Sequence, residues 1–123
     1  MNYLSPQEVL YIHNQIIDEL HGTHGVSNSL VLKKLMNYIR NNDIFRDKNA
    51  KAAALFFGIS KRRPFIEKNI ETAITATNIF LGINGSGFEI DTPTFRNFIK
   101  YELPHAKVED IQKFITQNSF LTP

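Results

Sequence analysis

Between Lys61 and Thr72 the chain reads Lys-Arg-Arg-Pro-Phe-Ile-Glu-Lys-Asn-Ile-Glu-Thr, a cationic loop running into the start of an apolar helix. A helix start presents unpaired backbone N–H groups and a partial positive charge, so such a junction suits a phosphate or a carboxylate. Arg62, Arg63 and Lys68 supply positive charge around a Pro64-Phe65 anchor, and Glu67 is the acid among them. Asn69 reads as the N-cap, its side-chain oxygen accepting an N–H one turn on, with Ile70, Ala73, Ile74, Thr77, Phe80 and Leu81 as the helical stripe behind it. Taken alone, these residue types make a candidate anion site.

The elements that must hold this junction are helical. Ser5-Pro6-Gln7-Glu8 carries the marks of a helix start with a capping box, and Val9, Ile12, His13, Ile16, Ile17 and Leu20 follow at helical spacing until His21-Gly22. His13 lies on or beside that stripe and reads as a core-edge histidine with one ring nitrogen bonded. Ser27-Asn28-Ser29 caps a second helix bearing Leu30, Leu32, Leu35, Met36 and Ile39. His21 and His24 flank a glycine turn without a third ligand, which argues against a metal site there. Asn41-Asn42-Asp43 breaks the pattern, Asp47 caps a third helix over Ala50 to Ser60, and Gly58 marks a tight contact within it.

A fourth helix runs from about Ile70 to Ile83 and stops in Asn84-Gly85-Ser86-Gly87. Phe88-Glu89-Ile90 alternates as a short extended segment. Asp91-Thr92-Pro93 then opens a helix with Phe95, Phe98, Ile99 and Tyr101 inward, closed by Leu103-Pro104. Lys107 to Gln117 forms the last helix, and Asn118 to Pro123 is expected to fray. The fold class is therefore all-α, a compact bundle of about six helices with no convincing strand.

With 123 residues, 42% hydrophobic content and 10 Phe, the chain suits one domain over 1–123 with a substantial core. No run approaches the roughly 20 apolar residues of a membrane span, and the Met-Asn-Tyr-Leu-Ser-Pro start lacks a signal pattern, so no membrane role and no export are expected. The absence of cysteine excludes disulfides and thiolate chemistry and fits a cytoplasmic setting. A formal charge of +2 demands no polyanionic partner.

The segment Arg63-Pro64-Phe65-Ile66-Glu67-Lys68-Asn69-Ile70-Glu71-Thr72-Ala73 resembles the His-Pro-Phe-x-Asp-Gly-Asn-Lys-Arg-Thr-Ala signature of the death-on-curing (Doc) family, a branch of the Fic-fold proteins. Pro64, Phe65, Asn69, Thr72 and Ala73 match, and Glu67 nearly so. The likeness extends over about residues 3–116, through Tyr3-Leu4-Ser5-Pro6-Gln7-Glu8, Ile12-His13, the Gly22-x-x-Gly25-Val26 turn, Lys51-Ala52-Ala53-Ala54 and Asn84-Gly85, with a shorter connection around Arg40 to Lys48.

The resemblance implies a Fic/Doc-like fold, a toxin–antitoxin setting, ATP and Mg²⁺ as cofactors, transfer of part of the nucleotide to a protein hydroxyl, and a protein partner that is antitoxin-like or translation-factor-like. It also implies roles. Arg63 stands at the catalytic histidine, Glu67 at the Mg²⁺ acid, Lys68 and Asn69 at the pair whose backbone cradles phosphate oxygens, and Glu71 at the phosphate-clamping arginine. The chemistry is eroded at these positions. Arginine stays protonated and cannot serve as the base, a loss of about 10²–10⁴ in rate. Lys68 puts a Cβ where close backbone approach is wanted, and Glu71 reverses the sign of the clamp. Arg62 or Arg63 could bind phosphate from the other side, and His13, His21 or His24 could supply a base if the fold brings one near.

Three readings follow. The first is a domain with a degenerate active loop that acts by binding a protein. The second is a working ATP- and Mg²⁺-dependent transferase, kinase- or AMPylation-like, with non-standard residues. The third, a nucleic-acid-binding helical domain resting on Lys61-Arg62-Arg63 and nearby Lys51, is weaker because the cluster is short.

Overall fold

Along Lys48–Arg62, the helix α3, the residues Ala50, Ala52, Ala53 and Ala54 are each at most 6% exposed. Four small side chains in the first half of a helix let its neighbours approach the backbone closely, and α3 is accordingly the axis of the molecule. The computed structural model describes residues 1–42 and 47–121. It places α1 (Pro6–Leu20), α2 (Ser29–Asn41), α4 (Asn69–Gly82) and α6 (Val108–Gln117) with α3 in one bundle, and α5 (Thr92–Asn97) at its edge. The most extensive packing is of α4 and α6 on α3; α2 also lies against α3, and α1 lies against α4. Gly58 is where α2 comes nearest, since a Cβ there would overlap the Leu35 side chain. No helix among the described residues is long and apolar enough to cross a membrane.

The helix starts follow local chemistry. Ser5 Oγ accepts the Glu8 N–H at 3.1 Å while Glu8 Oε1 accepts the Ser5 N–H at 2.9 Å. Asn28 Oδ1 accepts from Leu30 and Val31, and Asp47 Oδ1 accepts from Ala50 at 2.8 Å. Caps of this kind contribute about 0.5–2 kcal/mol each. At the end of α1 it is His21 that takes the left-handed C-terminal conformation (φ 55°), and Gly22 serves a different purpose. A side chain at Gly22 would strike the Glu67 carboxylate and Ile17, so the glycine is there for close approach.

Three expectations are corrected. A short antiparallel ribbon is present, β1 (Ser86–Phe88) with β2 (Ser119–Leu121), Gly87 opposite Phe120. The extended segment thus begins two residues before Phe88, and the tail expected to fray from Asn118 is held through Leu121, helped by the Glu89 N–H donating to the Asn118 carbonyl at 2.9 Å. Tyr101 faces outward, 64% exposed. The chain passes from α5 into a π turn over Phe98–Glu102, and the extra residue in that turn rotates Tyr101 off the buried face of Phe98. The shortened connection expected around Arg40 to Lys48, with Asp43, falls largely on 43–46, outside the described residues, as do 122–123.

Candidate functional site

The loop from Arg63 to Lys68 is pinched between two left-handed residues, Arg63 (φ 50°) as the C-cap of α3 and Lys68 (φ 63°) as the N-cap of α4. Each costs a non-glycine residue roughly 1–2 kcal/mol, so the surrounding contacts must hold both in place. They do so through the connection between α1 and α2. The Ser27 N–H donates to the Pro64 carbonyl at 2.8 Å, Ser27 Oγ donates to the Arg63 carbonyl at 2.9 Å, and the Ile66 N–H donates to the Gly25 carbonyl at 3.1 Å. Val26 and Phe65 form a single antiparallel bridge. The two loops are stitched together along their backbones.

Phe65, 2% exposed, is the plug beneath this seam and stacks on the His13 ring at 3.9 Å between centroids. His13 is fully buried, and its Nε2 lies 3.0 Å from the Glu67 carbonyl. A carbonyl only accepts, so the ring proton sits on Nε2; Nδ1 is buried with no partner among the described residues. The reading of His13 as a core histidine with one nitrogen bonded holds. Its full burial behind Phe65, which keeps the unprotonated Nδ1 away from any substrate, also removes it as a substitute base. His24 pairs with Asp18 (2.8 Å) and Asn14 (3.2 Å) on the surface of α1, and His21 is an exposed helix cap.

Asn69 is not the N-cap, and its role is tertiary. It is the first residue of α4, 4% exposed, and turns back to close the loop: its Oδ1 accepts the Phe65 N–H at 3.0 Å and its Nδ2 donates to the Phe65 carbonyl at 2.9 Å. Lys68 caps the helix without a side-chain bond, while its carbonyl receives the Thr72 hydroxyl at 2.7 Å. Its conformation is one that glycine adopts freely, which fits the glycine of the resembled signature. Glu67 is half-buried against Gly22, with Oε1 accepting the Thr23 N–H. Glu71 lies in the first turn of α4, a favourable place for an acid.

The residues singled out by sequence are thus adjacent in the chain and divergent in space. Asn69 points inward, Glu67 faces the loop between α1 and α2, Arg63 is exposed, and Arg62 lines a cleft on the α2 and α6 side of α3. They are a poor fit to a magnesium-bound triphosphate. Both polar atoms of the Asn69 amide are bonded to the Phe65 backbone, one Glu67 oxygen is engaged, and no group of three His, Asp or Glu residues that could hold a metal ion is present among the described residues.

The basic patch is likewise dispersed. Lys51 is 5% exposed, its Nζ donating to the Ile39 carbonyl and lying 5.1 Å from the Tyr3 ring, and the Lys61 ammonium donates to the Leu103 carbonyl. The reading that put Lys51 on a phosphate-facing surface is corrected accordingly.

A cleft that the motif did not signal lies along α3. A cleft of about 290 Å³ is bounded by α2, α3 and α6, with Leu35, Ala54, Phe57 and Val108 apolar and buried or half-buried, and the exposed cations Lys34 and Arg62 beside them. The available signal was charge distribution: all 12 acidic residues of the chain lie outside α2 and α3. Compared with known proteins, the chain matches no family model and no curated relative.

Proposed function

We propose that this chain is a death-on-curing-like helical protein of a toxin–antitoxin type system, that it lacks the family's phosphoryl or nucleotidyl transfer, and that it acts by binding a protein partner, antitoxin-like or translation-factor-like, in the cytoplasm. The observation that carries the reading is Arg63: an exposed guanidinium that stays protonated stands at the position the resemblance assigns to the base, while His13 is sealed behind Phe65. The scaffold positions Pro64, Phe65, Thr72 and Ala73 are buried, as a retained framework requires, while the positions that differ from the signature carry the wrong chemistry. The nucleic-acid reading draws no support from Lys51 or Lys61, whose ammonium groups serve backbone carbonyls.

The test is label transfer. The protein is incubated with γ- or α-labelled ATP, Mg²⁺ and a cell extract, and no labelled product above the no-protein control is expected. Transfer that disappears in Glu67→Ala would reinstate the working transferase with non-standard residues.

A further inference from the structure

We propose that Asn84 is a deamidation site, a one-way latch whose modification releases residues 1–4 from the end of α4. Asn84-Gly85 is the chain's single Asn-Gly pair. Asparagine is among the thermolabile residues, and a following glycine, having no side chain, leaves its peptide nitrogen least hindered for attack on the asparagine carboxamide. The pair stands in the turn between α4 and β1, where Gly85 is exposed at φ 82° with open space on the side a Cβ would occupy.

The Asn84 side chain is the clasp that joins two distant parts of the chain. Its Nδ2 donates to the Phe80 carbonyl at 2.8 Å, in the last turn of α4, and to the Asn2 carbonyl at 2.9 Å, while its Oδ1 accepts the Asn2 N–H at 2.8 Å. Asn2 Nδ2 adds a bond to the Ile83 carbonyl at 3.0 Å. Beyond the clasp, the Tyr3 ring lies 6.2 Å from that of Phe80 and Leu4 is buried in the core. While the three carboxamide bonds hold, Cγ cannot turn toward the Gly85 nitrogen, whose N–H donates to the Gly82 carbonyl at 3.2 Å. The nucleophile is nonetheless primed. The Lys48 ammonium donates to the Asn84 carbonyl at 3.4 Å, and positive charge on that oxygen favours loss of the N–H proton from the same peptide unit. Deamidation therefore waits on local release of residues 1–4.

In the reaction the Gly85 nitrogen gives up its proton and bonds to Asn84 Cγ. The Cγ–Nδ2 bond breaks, ammonia leaves with that proton, and a five-membered succinimide remains. Water then opens the ring, at Cγ to give aspartate or at the main-chain carbonyl to give isoaspartate with an additional methylene in the backbone. One water enters and one ammonia leaves. Either product carries a carboxylate where the turn needs a donor: it cannot donate to the Phe80 and Asn2 carbonyls, and it sits at the negative end of the α4 dipole. The clasp cannot close again.

The full chain is incubated in neutral buffer, natively and in denaturing urea, and modification at Asn84 is followed by peptide mass spectrometry and by isoaspartyl methyltransferase labelling. The native rate is expected to lie at least about tenfold below the rate in urea, and Asn2→Pro, which deletes the N–H donor to Asn84 Oδ1, should raise the native rate about tenfold without changing the rate in urea. Tyr3→Ala, which loosens the segment without touching the clasp, takes its place if circular dichroism shows that the proline variant is unfolded. Asn84→Asp should shift the amides of Asn2, Tyr3 and Phe80 and speed their exchange, leaving those of Phe65 and Asn69 unmoved. The proposal falls if Asn84 stays unmodified even in urea, if the native chain reacts as fast as the unfolded one, if the folded variant reacts no faster than the parent, if Asn28 or Asn118 is modified first, or if residues 1–4 stay protected in Asn84→Asp.

Discussion

Two stacked ring pairs hold two ends of this molecule with almost the same geometry: His13 on Phe65 and Phe98 on Phe114, each at 3.9 Å between centroids and within 6° of parallel. Their surroundings differ. The first is sealed, with both residues at most 2% exposed, and His13 adds a directional bond to the Glu67 carbonyl that fixes the loop above it. The second borders clefts on two sides, Phe114 is half-buried, and the chain beside it passes through a π turn and a 3₁₀ turn before reaching α6. The same stacking therefore serves a sealed seam in one place and borders open clefts in the other, in the arm from α5 to the start of α6.

Truncation should separate the two pairs most strongly. Phe65→Ala removes the plug and leaves the Asn69 clamp and the loop bridges without a floor, for an expected loss of about 3–5 kcal/mol. Phe114→Ala, at a half-buried site open to water, should cost about 1–3 kcal/mol. Urea denaturation of the two variants checks this, and an equal or larger cost at Phe114 would break the comparison.

A smaller effect isolates the polar part of the seam. His13→Phe keeps a ring against Phe65 and deletes only the donor to the Glu67 carbonyl, which should cost about 1 kcal/mol and speed amide exchange at Ile66 and Thr23. A change in stability of only a few tenths of a kcal/mol, with exchange unaltered, would mean that packing alone fixes the loop.

The same contrast explains what was legible in the sequence. Ser5, Asn28, Asp47 and Asp91 were readable as caps because a cap is a local bargain between a side chain and an N–H two or three residues on. Asn69 looked like one of them, yet its side chain turns back four residues to Phe65, a choice set by the buried loop rather than by the helix it begins. The strand pairing was not legible because its halves are three residues each and lie more than 30 positions apart; alternation marked an extended segment at Phe88 and gave no sign of its partner. Tyr101 was misplaced because the π turn shifts the helical phase, and no residue type announces that shift. Of the candidate site, the loop's framework was legible. The inward turn of Asn69 and the cleft beside α3 were not, because both depend on which helices become neighbours.

The weakest of these effects belongs to the arm and can be read by pH. Hydrogen bonds to Asp91 from Thr94, first from its side chain and then from its backbone N–H, hold the Asp91 carboxyl below the usual carboxylate range. A carboxyl depressed in the folded state stabilises α5 above its unfolded value, and that contribution is lost as pH falls through the folded one. The Thr94 amide shift should therefore titrate with a midpoint below that of an ordinary aspartate, while in Asp91→Asn, which keeps an acceptor oxygen but cannot ionise, the titration should vanish. Because Asp91 is fully exposed, global stability should barely follow; the response should stay within α5 and leave the amides of Phe65 and Asn69 unmoved. A coincident titration at Phe65 would show that the arm and the seam are coupled, and the two ring pairs would then have to be treated as one cooperative unit.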